Sequence, residues 1–532
     1  MCGIVGMSGE FEISELIDRL ERLEYRGYDS AGLVTDTHFE KTIKGIADLR
    51  KGITKERATK GISHTRWATH GGVTEKNAHP HANCSHKIFA VHNGILNVRR
   101  EELEQKGYVF TSDTDSEFIV HYFDHYLSTH SMPEICQRFI DEIDGTFAIL
   151  ILHEGTIYCL KRDSPLAIGT SDDTIYIASD IHAFSDKTDS AIFLEDDTYA
   201  IISSDIKVFR QGRQLQPKPE SFGMYDTDHD KRHYEHHMLK EIEEQPRIAK
   251  NLIDSFPSQK EALEKATGLI RDNKIVLLGC GTSYHAALIG EHLLKQCGID
   301  AQAHIASEYA GNPDLIIAFS QSGETMDLLR CIKQTNSKVI SIVNVPASTL
   351  HRMSDVTLDI CAGKEIAVAS TKAFTNQVIL LFKIASLLGI SIDIDKIPGK
   401  IEQVIRDTAI DPIVNDRCFV LGKGLFYPVA REIALKLKEV TYVHAEPVIA
   451  GELKHGPLAL VEPGFPVLSL ADAHTNAEVR ARGGELMELP CSTLEDVILS
   501  TIRGHLMSYQ AALKKGLPID KPRNLAKSVT VT

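Results

Sequence analysis

The stretch LGCGTSYHAALIGEHLLK, Leu278–Lys295, decides how the second half of the chain is read. An apolar run ends in a Gly-x-Gly turn, and a stretch with helical apolar spacing follows, the pattern of a buried strand, a tight turn and a helix. LGKGLFYPVAREIALKLK, Leu421–Lys438, lies over it, with Leu, both glycines, Tyr, Ala, Leu and Lys recurring in register. Such self-similarity marks a duplicated supersecondary unit. Around both copies, short apolar runs alternate with longer amphipathic ones: IVLLG from Ile275, LIIAFS from Leu315, VISIVNV from Val339, CFVLG from Cys418 and FPVLSL from Phe465. That alternation predicts parallel sheets covered by helices, in two tandem α/β doubly wound domains over 245–395 and 400–525.

The chain before Gln211 reads differently. Short β-like runs dominate it: Lys87–Val91, Phe147–Leu152, Thr156–Leu160 and Thr174–Ala178, with helical stretches such as Ser14–Leu23 between some of them. This predicts a layered α+β domain over 2–215. Gln211–Asp230 is polar and carries Pro and Gly, and a charged, helix-like segment follows at Lys231–Glu244, so 216–244 is the expected linker.

Composition narrows the function classes. The 532 residues leave room for roughly three or four domains. Lys and Arg number 58 against 73 Asp and Glu, a net charge of −15, which gives no global pull toward nucleic acid or anionic lipid while leaving room for a local phosphate pocket. No apolar run reaches the ~18 residues of a membrane helix; the nearest, Val378–Ile390, is interrupted by Lys383. The opening MCGIVGMSGEFE lacks a basic region followed by an apolar one, and the 10 cysteines include no CxxC pair. Both point to a reducing, cytoplasmic compartment.

The chemistry-bearing residues begin at Cys2. Removal of Met1 would place a thiol and a free α-amine on one residue, so nucleophile and base would come together. Three loops, Leu23–Gly32 (LEYRGYDSAG), Gly61–Gly72 (GISHTRWATHGG) and Val91–Asn97 (VHNGILN), are rich in glycine and polar groups and present functional groups rather than pack a core. The Asn93 side chain and the Gly94 N–H are candidate oxyanion donors. Arg66 suits the carboxylate of an amino-acid substrate, and Asp115 its ammonium. In the second half, CGTS (Cys280–Ser283), SQSGET (Ser320–Thr325) and VASTK (Val368–Lys372) offer hydroxyl-rich turns, read as an anion site at strand ends. Glu432, Lys436 and Glu439 fall on one helix face in largely apolar surroundings, where burial without a purpose would be costly. GELKHGP (Gly451–Pro457) brings His455 into a glycine-bounded turn, and a basic tail, KPRNLAKSVTVT, spans 521–532.

MCGIVG, RLEYRGYDSAG, SHTRWATHG, AHPH, HNGILN and TDTDSE together resemble the class II glutamine amidotransferase domain, an N-terminal-nucleophile (Ntn) hydrolase fold. GCGTS, SQSGET, VASTKAF, ALKLKE, HAE, GELKHGP and PRNLAKSVTV resemble tandem SIS (sugar isomerase) domains. The resemblance implies that Cys2 is the nucleophile, Asn93 and Gly94 the oxyanion hole, and Arg66, Thr69, His70 and Asp115 the glutamine site, with Trp67 gating ammonia passage. It further implies that Ser283, Ser320, Gln321, Ser322 and Thr325 hold a phosphate. Thr282, Val368 and Ala526 would border the sugar, and Lys527 would form an imine with a ketose. Glu439 would move a proton between sugar C1 and C2 with Lys436 nearby, and His455 would open the sugar ring, reaching a neighbouring subunit's site. The implied partners are L-glutamine, fructose 6-phosphate and a second copy of the chain, with glucosamine 6-phosphate as product and no cofactor, nucleic acid or membrane.

Family members are several dozen residues longer, and the shortfall falls at 377–421 and 457–521. The pocket motifs report phosphate better than they report the sugar, so a related deglycase, or an aminotransferase for another sugar phosphate, is the alternative. A sugar-phosphate sensor with a degenerate glutaminase domain is a third reading. It predicts a lost catalytic position, whereas Cys2, Asn93, Glu439, His455 and Lys527 are all present. Two clusters imitate metal sites, His79–His81–Cys84–His86 and His229–His233–His236–His237. The first belongs to the family loop and the second to the junction, and no metal is expected at either.

Overall fold

The computed structural model describes residues 2–53, 56–68, 71–222, 231, 233–407 and 412–527. The chain divides into two compact units, the first ending before Asp230 and the second running from there to Lys527.

Two antiparallel sheets, of eight and seven strands among the described residues, build the first unit. Strand β1 (Gly3–Glu12) sits inside the larger sheet, paired with β2 (Arg57–Arg66) on one side and with Thr174–Ala178 on the other. In the smaller sheet, β3 (Ile88–Asn97) pairs along its length with β4 (Asp144–His153). The two-residue period of a strand sorts their side chains. Val91, Ala148, Leu150 and Leu152 join Ile4, Ile62 and Ile177 in the core between the sheets. The alternate residues Ile88, Ala90, Phe147, Ile149 and Ile151 pack with Ile119, Phe123, Ile135 and Phe139 on the other face. Those partners come from helices α2 (Glu117–Leu127) and α3 (Met132–Glu142), the latter opened by a Ser131/Glu134 capping box. Helix α1 (Ile13–Glu21) buries Ile13, Leu16, Ile17 and Leu20 and contacts β1 and β2. The unit is therefore layered helix–sheet–sheet–helix.

The second unit holds two parallel sheets. In the first, β5 (Ile275–Gly279) lies between Ala301–Ile305 and β6 (Leu315–Ser320), followed by Lys338–Val343 and Val356–Asp359. In the second, β7 (Arg417–Gly422) lies between His444–Ile449 and Pro466–Leu470, followed by Glu485–Glu488. Both sheets run in the order 2-1-3-4, and only the first carries a fifth strand among the described residues.

The repeat has a steric cause. A Cβ on Gly279 would meet the Ser283 backbone at 2.8 Å, and one on Gly422 would meet the Tyr427 Cα at 2.6 Å, because each helix begins hard against its strand's end. The second glycines, Gly281 and Gly424, take φ of +53° and +56°. Helix α4 (Gly281–Gln296) starts directly at the turn, whereas a 3₁₀ turn, Gly424–Phe426, precedes α7 (Tyr427–Thr441). Helix α7 packs on α4 and on α8 (Asp496–Lys514), and one apolar core spans both sheets.

Helices α5 (Met326–Lys333) and α6 (Lys372–Leu387) complete the elements needed for the site. The apolar run from Val378 is the all-round buried helix α6, and no helix among the described residues is long and apolar enough to cross a membrane. Two expectations are corrected. VASTK does not stand at a strand end, since an irregular stretch from Ile360 to Ala367 separates it from Val356–Asp359. Of the charged 231–244 run, only His237–Glu243 forms that segment's helix, anchored by buried Met238 and Ile242.

Candidate active sites

In the first unit, pairing of β1 with β2 sets Gly3 opposite Thr65, which brings Cys2 beside Trp67. The Trp67 N–H donates to the Cys2 Sγ at 3.3 Å, and the thiol faces the Trp67 carbonyl at 3.6 Å. Burial pushes the Cys2 thiol above its ordinary value, opposed by the Trp67 N–H and by Arg66 and Arg26. A thiol held in that state needs a base before it can attack. From β3, the Asn93 Nδ2 donates to the Cys2 carbonyl at 2.9 Å, while its buried Oδ1 has no partner among the described residues. Tyr28 meets Trp67 edge-on at 5.5 Å.

Arg66 ends β2, its guanidinium donating to the carbonyls of Gly71 and Gly72. Burial lowers its pKa, and Cys2, Asp29 and Asp115 act on it in the opposite sense, so these charges share one site. Asp115, just before α2, accepts the Leu96 N–H at 2.7 Å. Asp29, unmarked in the sequence reading, accepts the Ala68 N–H at 2.8 Å and fixes the turn after Trp67. Thr69 and His70 lie outside the described residues.

Gly94 has φ +134°, and a Cβ there would overlap the Thr146 carbonyl across the β3–β4 pair. Gly94→Ala must therefore shift the strand that carries both donor candidates. The glutamine hydrolysis that the resemblance implies is then expected to fall by about 100-fold or more, the scale of losing one oxyanion donor, in an assay of glutamate release.

The histidines of AHPH are packing groups. His79 stacks on His64 with ring centroids 4.1 Å apart and meets His81 at 4.6 Å. Burial lowers all three pKa values, His81 to about 3, and keeps the rings neutral. His236 pairs with the Tyr509 hydroxyl at 3.2 Å, and His229 lies outside the described residues. No group of three or more His, Cys, Asp or Glu among the described residues is placed to hold a metal ion.

The second unit places its polar loops where strand order reverses, at the carboxyl ends of adjacent β5 and β6, the position where open α/β sheets bind ligands. The Ser320 Oγ accepts the Gly323 N–H at 2.9 Å and lies 3.1 Å from the Thr325 Oγ1. Ser322 accepts the Glu324 N–H, and α5 begins at Met326, so hydroxyls and a helix N-terminus meet there. Gln321, within this loop, is half-buried. Ser283, in the first turn of α4, accepts from Gln377 Nε2 at 3.1 Å.

Joined to the start of α4 through Thr282 and His285 lies a charged network that the apolar surroundings force into pairs. Lys436 and Glu432 on α7 are fully buried, 3.5 Å apart, and Lys436 reaches Glu439 at 2.5 Å. Thr282 donates to Glu432 at 3.2 Å, and His285 holds its other oxygen at 2.7 Å. His505 of α8 lies 3.8 Å away. Burial opposes ionisation of Glu432, yet Lys436, His285 and His505 hold its carboxyl well below the usual range. Burial raises the Glu439 pKa, only partly offset by Lys436. That makes Glu439 the better proton acceptor of the two.

Lys527 pairs at 2.6 Å with Glu365, a residue the sequence reading passed over; the lone carboxylate in GKEIAVAS was the available signal. Ala526 is half-buried beside it. The Val368 N–H is engaged with the Asp520 carbonyl at 3.1 Å. His455 stands exposed on the 3₁₀ turn Ala450–His455, and no hydrogen bond or ion pair among the described residues ties it to this network.

Comparison with known proteins agrees with this division. A family model described as "SIS domain" matches residues 268–385 and 413–481, and one described as "Glutamine amidotransferase domain" matches 64–186. The chain is 38% identical over 605 aligned positions to the glutamine–fructose-6-phosphate aminotransferase (isomerizing) of Pyrococcus horikoshii. It is 37% identical over 601 positions to that of Geobacillus kaustophilus. In both cases all of each protein is covered, with gaps opening in this 532-residue chain. Among solved structures, the C-terminal domain of glucosamine-fructose-6-phosphate aminotransferase from Francisella tularensis matches 55% of this chain and all of that one, at 35% identity and a TM-score of 0.49. The full-length identities, together with a glutamine amidotransferase domain ahead of paired SIS domains, establish that the chain belongs to the glutamine–fructose-6-phosphate aminotransferase (isomerizing) family.

Proposed function

We propose that the protein converts fructose 6-phosphate and L-glutamine to glucosamine 6-phosphate and L-glutamate. The observation that carries this reading is that one chain holds both halves of the reaction: a cysteine beside an amide donor and an arginine–aspartate pair, and a buried lysine–carboxylate network together with a phosphate-type loop. In the first half, the Cys2 sulfur attacks the glutamine carboxamide, with its own α-amine taking the proton once Met1 is removed. Asn93 Nδ2 and the Gly94 N–H hold the oxyanion, Arg66 and Asp115 hold the amino-acid end, and Thr69 and His70 complete the glutamine pocket. Ammonia leaves, and water hydrolyses the thioester to glutamate.

In the second half, Ser283, Ser320, Gln321, Ser322 and Thr325 bind the phosphate, with Thr282, Val368 and Ala526 around the sugar. His455, supplied across a homodimer, opens the ring. Lys527 forms an imine at C2, ammonia displaces it, and Glu439 takes a proton from C1 and returns it to C2 with Lys436 as its partner. An aldehyde at C1 and an amine on C2 result. The proposed domain limits are 2–215 for the glutaminase, 216–244 for the linker, 245–395 and 400–525 for the SIS domains, and 521–532 for the tail. A cytoplasmic location suits the free cysteines. Incubation with glutamine and fructose 6-phosphate is expected to yield glucosamine 6-phosphate and glutamate in equal amounts. Absence of the amino sugar with either glutamine or ammonium as nitrogen source rejects the reading.

A further inference from the structure

We propose that Glu365 is the proton acceptor and proton donor for imine formation at Lys527, an inference that rests on reading Lys527 as the imine-forming lysine. Both groups are withdrawn from water: the Lys527 side chain is 3% exposed and that of Glu365 0%, with Nζ to Oε2 at 2.6 Å. The carboxylate is held rigidly. Oε2 also accepts from the Ser370 Oγ at 2.7 Å, and Oε1 accepts the N–H groups of Thr371 at 2.8 Å and Ala373 at 3.2 Å, at the start of α6. A helix N-terminus favours the anion, so Glu365 is poised as a carboxylate.

A second carboxyl lies beside it and divides the labour. Glu241 accepts the N–H groups of Ile366 and Ala367 at 2.5 and 3.2 Å, which fixes the backbone next to Glu365, while its buried Oε2 has no partner among the described residues. Burial and the neighbouring Glu365 push Glu241 up to about 8. Glu365 moves the other way: although burial opposes it, the Lys527 ammonium and the bonds from Ser370 and Thr371 hold it at about 2. Neighbouring carboxyls with pKa values driven apart are the mark of assigned acid and base states. The charged and titratable groups facing the pair are Glu241, Lys372, Lys436, Glu439 and His505. Two other buried lysines here are engaged elsewhere, Lys372 with Glu244 at 2.9 Å and Lys436 with Glu432 and Glu439.

The step balances without a further reagent. Glu365 takes a proton from the Lys527 ammonium, and the freed nitrogen pair forms the N–C2 bond as the carbonyl π pair moves to oxygen. A second N–H proton moves to that oxygen, giving the neutral carbinolamine. Glu365, now a carboxylic acid, returns its proton to the hydroxyl. The C2–O bond breaks, water leaves, and the nitrogen pair closes the iminium. Ammonium plus ketone gives iminium plus water, and the carboxylate ends ionised against the new cation.

The test is reductive trapping with cyanoborohydride at saturating fructose 6-phosphate, with the adduct mapped by peptide mass. Rates of full-length wild type, Glu365→Gln and Glu365→Asp are compared at each pH from 6 to 9. We expect the adduct on Lys527 and not on Lys372, a maximal rate for Glu365→Gln lowered by about 100-fold at pH 7, the scale of general acid–base assistance, and a partial recovery toward pH 9 as hydroxide replaces the base. Glu365→Asp, which keeps the carboxylate, should stay within about tenfold of wild type. Trapping in Glu365→Gln at or above the wild-type rate, or equal losses in both variants at every pH, overturns the inference. No adduct on wild-type Lys527 overturns the reading beneath it as well.

Discussion

Cys2→Ala is expected to stop ammonia release from glutamine while leaving fructose 6-phosphate amination by free ammonium within about threefold of wild type. The loss should be at least about 10⁴-fold, since nothing else at the site can form the thioester and residues of a nucleophilic unit do not substitute for one another. The retained half is the informative part. Lys436, Glu439, Glu365 and Lys527 all lie within a unit with its own core, distinct from the unit that carries Cys2. Parallel measurement of glutamate release and amino-sugar formation checks this. Loss of both activities in a folded variant would contradict the independence of the two sites.

Lys436→Met should strongly destabilise the second unit. It strands Glu432 and Glu439 in the interior without the cation they share, and breaking one side of a buried ion network costs about 3–5 kcal/mol. The pH dependence has a definite sign. A carboxyl held below its unfolded value, as Glu432 is, adds stability that is present above that value and lost as pH falls toward the depressed one. With Lys436 gone, burial pushes both carboxyls upward, so this contribution is lost and the deficit relative to wild type should be largest near neutral pH and shrink as pH falls and the two carboxyls take up protons. Denaturation followed by circular dichroism against pH reads both effects, and the double change Glu432→Gln with Lys436→Met should recover part of the loss. An unmoved transition would show that the network is solvated.

The legible parts of the molecule were those that local chemistry decides. The repeat at Leu278 and Leu421 was readable because a glycine must end each strand where the helix turns back, and dense short β-like runs against alternating strand and helix patterns separated the layered α+β half from the parallel α/β one. The Glu432–Lys436–Glu439 face was readable because helical spacing and apolar neighbours leave a buried charge only one way to be satisfied. Glu365, Glu241, His285 and His505 were not readable in this way. Each is a single polar residue whose meaning comes from a partner far along the chain, Lys527 for Glu365 and Glu432 for the two histidines. VASTK misled for a related reason: Ser and Thr announce a turn, but whether a strand precedes it is set by tertiary packing. His455 is half of the same lesson, since its exposed position takes its meaning from what meets it.

Ammonia released at Cys2 is expected to be consumed, on the same chain, at the C2 carbon held by Lys527. Glutamine labelled with ¹⁵N in its amide, mixed with fructose 6-phosphate and excess unlabelled ammonium, tests this most directly by mass spectrometry of the amino sugar. Wild type is expected to give ¹⁵N-labelled glucosamine 6-phosphate, and Cys2→Ala only unlabelled product. Product carrying the isotope ratio of the bulk ammonium in wild type, or no amino sugar at all, would contradict that expectation.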